Sequence, residues 1–296
     1  MAHYTRFRSY QLSSPGSSFS ISVEKHFTLI EARYNETNAP HIQWELDNLN
    51  LKYNLNLKYI DTLHITSWDK DHCNYAELCV ILKELMPKNI ECPSEAPTTE
   101  NGQKSLSKIN EYVRSHEGAH KYEITPAFVK SEEKLPLIGK DIFFNPIVNG
   151  DKSNDNSLIK FFRIGSFQIL SLGDCENPEI AKRLMTNGIL QREVDIMILA
   201  HHGADNGFTT LEFLKAIKPK VCVCSSDYGN KYDHPRDLIR KRCSTLGIPL
   251  FTTKRGDIIA QTIDPKHFKV SNYVCNNEAK DTVAIFSNKT WYKCDV

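Results

Sequence analysis

A chain of 296 residues can bury a sizeable core as one large domain or two small ones, and 40% hydrophobic with 25% charged residues is an ordinary globular balance. The net charge of +1 gives no global bias toward nucleic acid or membrane, so a polyanion must be met by a local patch. Nine cysteines without a secreted-scaffold rhythm point to reduced thiols, and there is neither an N-terminal apolar h-region nor a run of about 18 apolar residues; a soluble, cytoplasmic protein with no membrane segment is expected.

"SFSISVEKHFTLIEARYN" alternates with period two and reads as an opening hairpin, followed by a helix at "HIQWELDNLNLKYN". "YIDTLHITS" is a short apolar strand that runs into the acidic turn "WDKDH", and "NYAELCVILKELM" carries apolar residues at helical spacing. From about Glu91 to Lys140 the texture turns polar and turn-rich, which reads as an insertion with one surface helix. "KDIFFNPIV", "NSLIKFFRIG" and "SFQILSLGD" are strand-like, and "NPEIAKRLMTNG" is a helix closed by Gly188. "VDIMILAHHG" is an apolar strand ending in two histidines, and "TTLEFLKAIKP" is a helix with Thr209 or Thr210 as N-cap. "KVCVCSS" alternates as a buried strand rather than a zinc knuckle; "PRDLIRKRCSTLG" is a helix, and "PLFTTKRGDIIAQTI" is expected to be a hairpin around Arg255-Gly256-Asp257. Residues 275–296 look like a C-terminal extension on a single domain spanning 1–296.

Four strand ends deliver metal-capable side chains: Asp69, Asp71 and His72; Asp174; His201 and His202; Asp233 and His234. Alone, each has a plainer reading. Asp69 and Asp71 around Lys70 make a solvated turn, His72 a helix cap, and His234 before Pro235 a helix-start residue. Recurrence at four strand ends is what indicates a site, because a rigid strand fixes the backbone while its exit exposes the side chain. Mixed carboxylate and imidazole donors suit zinc, manganese or iron, and Asp174 is placed to bridge if two ions bind. Adjacent side chains on a strand point to opposite faces, so one of His201 and His202 is a ligand and the other supports it. His64, inside an apolar strand, reads as a core residue.

These motifs resemble the metallo-β-lactamase superfamily, and within it the nuclease-like domain of ComEC-type competence proteins. "YIDTLHITSWDKDHCN" is similar to that family's strand and H-x-D-x-D-H; "NDNSLIKFFRIGSFQILSLGD", "DIMILAHHGADNGFT" and "NKYDHP" are similar to its N-x-N-S-L…G-D, H-H-G-S and N-x-Y-G-H-P stretches. The resemblance implies an α+β, four-layer αββα sandwich and metal-dependent hydrolysis of DNA phosphodiester bonds. Carried over by position, Asp69 joins a first metal, Asp71 and His72 a second, Asp174 bridges, and His201 or His202, with His234, completes the shells; Asp71, Asp174 and His202 are expected to carry catalysis. The family's leading histidine is here Ser67 and its H-H-G-S serine is Ala204. One imidazole donor is therefore missing, which favours one or two loosely held ions, zinc or manganese. Basic residues in "KRLMTNGILQR", "RDLIRKRC" and "KRG" are either phosphate contacts or solvated faces. DNA is the expected substrate and partner, with a small-molecule hydrolase of a cyclic nucleotide or lactone as the alternative. A catalytically weakened subunit of a defence-type complex, with the insertion as its partner surface, is a third reading.

Overall fold

A computed structural model describes residues 4–55, 59–132, 140–144, 153–274 and 279–289. Two sheets form its centre. The larger starts with β1 (Thr5–Ser9), β2 (Phe19–Val23) and β3 (His26–Ile30), and continues after helix α1 (Ala39–Tyr53) with β4 (Thr62–His64). Helix α2 (Tyr75–Glu84), β5 (Asn89–Pro93), α3 (Glu100–Ser115), β6 (His120–Ile124) and the short α4 (Pro126–Glu132) follow. The smaller sheet contains β7 (Ile142–Phe144), β8 (Ile159–Phe162) and β9 (Ile169–Ser171). After α5 (Pro178–Met185) and α6 (Gly188–Glu193) come β10 (Ile196–Ile198), α7 (Leu211–Ile217), β11 (Val221–Cys224), α8 (Asp237–Thr245) and β12 (Leu250–Thr252). The chain then returns to the larger sheet as β13 (Ile258–Asp264), β14 (His267–Val274) and β15 (Ala279–Ser287).

Strand order is β15-β14-β13-β1-β2-β3-β4-β5-β6 in the larger sheet and β12-β11-β10-β9-β8-β7 in the smaller. The larger is antiparallel up to β3 and parallel from β3 to β6; the smaller is parallel from β9 to β12. Period two decides which side chains face which layer. In β11, Val221 and Val223 join Phe7, Phe19 and Ile30 in a core between the sheets, while Cys222 and Cys224 face the helices. Ile196 and Ile198 against Met197 in β10, and Ile30 against Phe27 and Leu29 in β3, repeat the division. Strands covered on both faces read as continuous apolar runs, which is why they stand out in the sequence. Each such Val, Ile or Phe contributes roughly 1.5–3 kcal/mol on burial.

Helices α1, α2 and α3 cover the outer face of the larger sheet through Ile42, Leu78, Ile81 and Ile109, and α5 to α8 cover the smaller through Ile180, Leu184, Phe213 and Ile239. The architecture is thus a four-layer αββα sandwich. Side-chain caps start α2, α3 and α7: Asn74 accepts from Ala76 and Glu77, Thr99 from Gly102, and Thr210 from Phe213.

Two local expectations are corrected. Gly188 does not close α5; it is the first residue of α6, whose N-cap is Asn187. The segment around Arg255-Gly256-Asp257 is not a hairpin, because β12 pairs with β11 in the smaller sheet while β13 pairs with β1 in the larger. Buried Asp257 fixes this crossing by accepting from Arg8 Nε at 2.7 Å. The segment read as an insertion builds regular structure, with β5 and β6 extending the parallel edge and α3 burying Ile109 and Tyr112. Among the described residues no helix is long and apolar enough to cross a membrane.

The sheets are also stitched electrostatically. Lys160 Nζ of β8, 4% exposed, donates to both oxygens of Glu91 of β5 at 2.9 Å, and His64 Nδ1 lies 2.9 Å from the same carboxylate. Burial pushes the Glu91 carboxyl up, but Lys160 and His64 outweigh it and bring it down to about 2. Lys160→Ala, which strands this carboxylate, should destabilise by about 3–5 kcal/mol, whereas Glu91→Gln combined with Lys160→Met should cost far less. Because the folded value of Glu91 is depressed, its contribution is present above pH ~4.5 and lost as pH falls toward about 2. Urea unfolding at pH 7 and pH 3 measures both effects; equal sensitivity of the double variant and the wild type to acid would refute the assignment.

Candidate metal centre

The carboxyl ends of β4, β9, β10 and β11 open on one edge of the sandwich. After β4 the chain turns at Asp69, whose carbonyl accepts from His72 N at 2.9 Å and Cys73 N at 2.7 Å. Asp71 is held from outside, its carbonyl accepting from Ser17 N and Arg33 Nη1, both at 3.1 Å. That clasp needs Gly16, where a Cβ would lie 2.4 Å from the Asp71 oxygen at a φ of +133°. Beyond β9, Gly173 has φ +53° and a Cβ there would sit 2.9 Å from that of Ser157, so glycine is required just before Asp174.

Among the described residues, Asp71, His72, Asp174 and His202 bring donor atoms within 4.8 Å of one another. His72 Nε2 is 2.9 Å from Asp174 Oδ2, without the alignment of a hydrogen bond. His202 Nε2 lies 3.5 Å from Asp71 Oδ2 and 3.8 Å from Asp174 Oδ1. Donors about 2.0–2.2 Å from a common ion would be spaced on the order of 3–3.5 Å apart, so these separations fit one divalent cation.

The opposite ring nitrogens are anchored. His72 Nδ1 meets Glu31 Oε1 at 3.0 Å, and Glu31, itself 1% exposed, accepts from Thr66 N at 3.0 Å and Thr66 Oγ1 at 2.5 Å. His202 Nδ1 donates to the Ser225 carbonyl at 3.0 Å, and Cys224 Sγ holds the His202 carbonyl. Acceptors behind Nδ1 select the tautomer that leaves Nε2 free, as metal-binding histidines require.

Burial opposes every charge here and is overcome. It pushes Asp71 and Asp174 up, but His202 and His72 hold both carboxyls below their usual range. It pushes His72 and His202 down, but Asp174, joined by Glu31 at His72 and Asp71 at His202, raises both. The cluster therefore holds positive charge, which protons or a divalent ion can supply.

The other expected residues lie around this set. Asp69 Oδ2 accepts from Ser153 Oγ at 3.1 Å and approaches Ser67 Oγ at 3.4 Å. His201 and His202 are not on the strand; they follow β10 in a 3-10 turn with φ of 45° and 52°, which sends His202 inward and His201 Nδ1 to Glu176 Oε1 at 2.5 Å. The His234 ring is 5.9 Å from that of His201 and 6.3 Å from that of His202. Burial and the neighbouring His202 and His201 push His234 down to about 4, leaving it neutral at pH 7. Asp233 points outward, 3.5 Å from Arg240 and 3.6 Å from Lys254. Sequence reading missed Glu31, Thr66 and Ser225, which act through His72 and His202, and Glu176, which anchors His201; none has a motif of its own.

No protein-family model matches the chain. It is 36% identical over 58 residues to competence protein ComA of Neisseria gonorrhoeae, a stretch covering 20% of this chain and 8% of that protein. Among solved structures it aligns with a CmlA beta-hydroxylase mutant at TM-score 0.49 and 13% identity, over 88% of this chain and 54% of that one. It also aligns with Igni18, a metallo hydrolase from Ignicoccus hospitalis, at TM-score 0.45 and 13% identity, over 86% and 98%. The four layers, and the motif loops gathered in order on the shared edge of the sheets, decide the architecture. The chain is a four-layer αββα sandwich, the fold its motifs led us to expect. Within that fold, the donors that assemble here come from the loops after β4, β9 and β10.

Glu31→Gln keeps the shape of the residue behind His72 and removes its charge. Metal affinity, read by competition with a chromogenic chelator, should fall by about 10- to 100-fold with the fold retained. Unchanged affinity would mean that Glu31 does not orient the ligand.

Proposed function

We propose that this chain is a metal-dependent phosphodiesterase acting on DNA, with one divalent ion, zinc or manganese, held by Asp71, His72, Asp174 and His202. The observation that carries the reading is the pairing of two Nδ1-anchored imidazoles with two carboxylates, all four presented at the open edge of the fold. When bound, a divalent ion supplies Lewis acidity and lowers the pKa of water to about 7. The chain's own residues do the rest. Asp71 and Asp174 keep negative charge in the pocket, while Glu31 and the Ser225 carbonyl fix the rings. His234, neutral at pH 7, and His201, anchored on Glu176, offer imidazole groups to orient phosphoryl oxygens.

Support for DNA comes from the local likeness to a competence protein and from cations beside the edge. The basic clusters of the sequence contribute unevenly. Lys182 pairs with Glu179, Arg240 with Asp237 and Arg242 with Asp205, whereas Lys231 and Arg236 have no carboxylate partner among the described residues.

Metal analysis and cleavage assays test the reading together. The wild type should hold close to one ion per chain and cleave DNA with added manganese; Asp174→Ala should lose both. Cleavage of a small phosphodiester such as bis(p-nitrophenyl) phosphate with all DNA left intact would favour the small-molecule reading. Well under one ion per chain, with no gain on adding manganese, would favour the interaction subunit.

A further inference from the structure

The loop between β11 and α8 carries two large aromatic side chains in solvent, Tyr228 at 75% and Tyr232 at 57% exposure. Tyr232 adjoins the cluster through His234. The Tyr232 ring is stacked on His234 at 5.6 Å and 23°, and His234 is in turn near-parallel to His202 at 6.3 Å and 12°. A column of three rings thus runs from solvent to a donor of the cluster. Its outer end is flanked by charge: Lys231 Nζ lies 4.7 Å from the Tyr232 ring centre, and Arg236 Nη1 donates to the Tyr232 carbonyl at 2.9 Å. The nearby carboxylate of Asp233 is taken up by Arg240 and Lys254.

We propose that Tyr232, supported by Tyr228, Lys231 and Arg236, is a stacking platform for an unpaired nucleobase, so that the enzyme selects single-stranded over duplex nucleic acid. The inference rests on the phosphodiesterase reading of the adjacent cluster and names its substrate class. The chemistry is specific to that ligand. An exposed ring face binds a π-face, which bases within a duplex already spend on one another, and the adjacent cations neutralise the phosphates on either side. A phosphodiester without a base has no π-face to lay on the ring, and a peptide without aromatic side chains has none either.

Fluorescence anisotropy of labelled oligothymidine and of a duplex of equal length, measured in EDTA so that nothing is cleaved, tests the platform apart from catalysis. Wild type should bind the single strand more tightly than the duplex. Tyr232→Ala should weaken single-strand binding about tenfold, in line with the loss of roughly 1–3 kcal/mol of stacking, and leave duplex binding unchanged, while Tyr232→Phe should retain it. Tyr232 is exposed, so circular dichroism of both variants should be unaltered. Equal affinity of Tyr232→Ala and wild type, or equal loss on single strand and duplex, overturns the platform. Single-strand binding that depends on Tyr232 in a protein that cleaves no phosphodiester keeps the platform and removes the catalytic reading. Cleavage of a small phosphodiester without single-strand binding does the reverse.

Discussion

A buried line of three groups, Glu31, His72 and Asp174, joins the two sheets at their carboxyl edge. Glu31 ends a strand of the larger sheet, His72 lies in the loop after β4, and Asp174 leaves β9 of the smaller; all are at most 4% exposed. Two carboxylates flank one imidazole, so a neutral ring would leave two uncompensated charges away from water, an arrangement that costs several kcal/mol. The arrangement favours a cation at the site. A proton on His72 meets that need at the expense of a free Nε2, and a divalent ion meets it while using Nε2 as a ligand. The same requirement recurs at His202, which faces both Asp71 and Asp174.

Holding such a cluster draws on uncommon backbone. Glu31, His201, His202 and Asp233 all have positive φ without being glycine. Each costs on the order of 1–3 kcal/mol and persists only where the surroundings determine it. Here the surroundings are specific: Glu31 N bonds the His64 carbonyl at 2.8 Å and His201 N the Gly173 carbonyl at 3.0 Å, so these two are pinned to neighbouring strand ends. The core between the sheets supplies the rigidity that holds these residues where the donors converge.

What the sequence displayed follows from the same physics. Strands buried on both faces announce themselves as apolar runs, and the polar residues that end them are conspicuous, so "SWDKDH", "SLGD" and "AHHG" could be read. The crossing from β12 to β13 was hidden because two extended runs joined by Arg-Gly-Asp have identical local chemistry whether they pair or part; Asp257 and its distant partner Arg8 decide it. His201 and His202 misled through their place after a strand, since the left-handed turn that separates them is set by Gly203 packed against Pro235. Glu31 gave no signal, being one carboxylate at a strand end whose meaning depends on a histidine 41 residues away.

The departure at Ser67 bears on how many ions the site takes. With an imidazole at that position, a first-metal site would pair it with Asp69 and share Asp174. In this chain Asp69 is occupied by hydroxyls, with Ser153 and Ser67 both on its Oδ2, and among the described residues it stands outside the four-donor set. Hydroxyls are weak ligands at neutral pH, and a carboxylate that accepts from two of them has its own charge solvated in place. The four remaining donors carry two negative charges and two imidazoles, a complement suited to a single divalent ion with room for substrate oxygens. On the phosphodiesterase reading proposed above, one ion would not clamp both attacking and leaving oxygens, and the chain's own groups would supply the remaining stabilisation. His201 on Glu176 and neutral His234 lie beside the cluster and are the groups that would provide it.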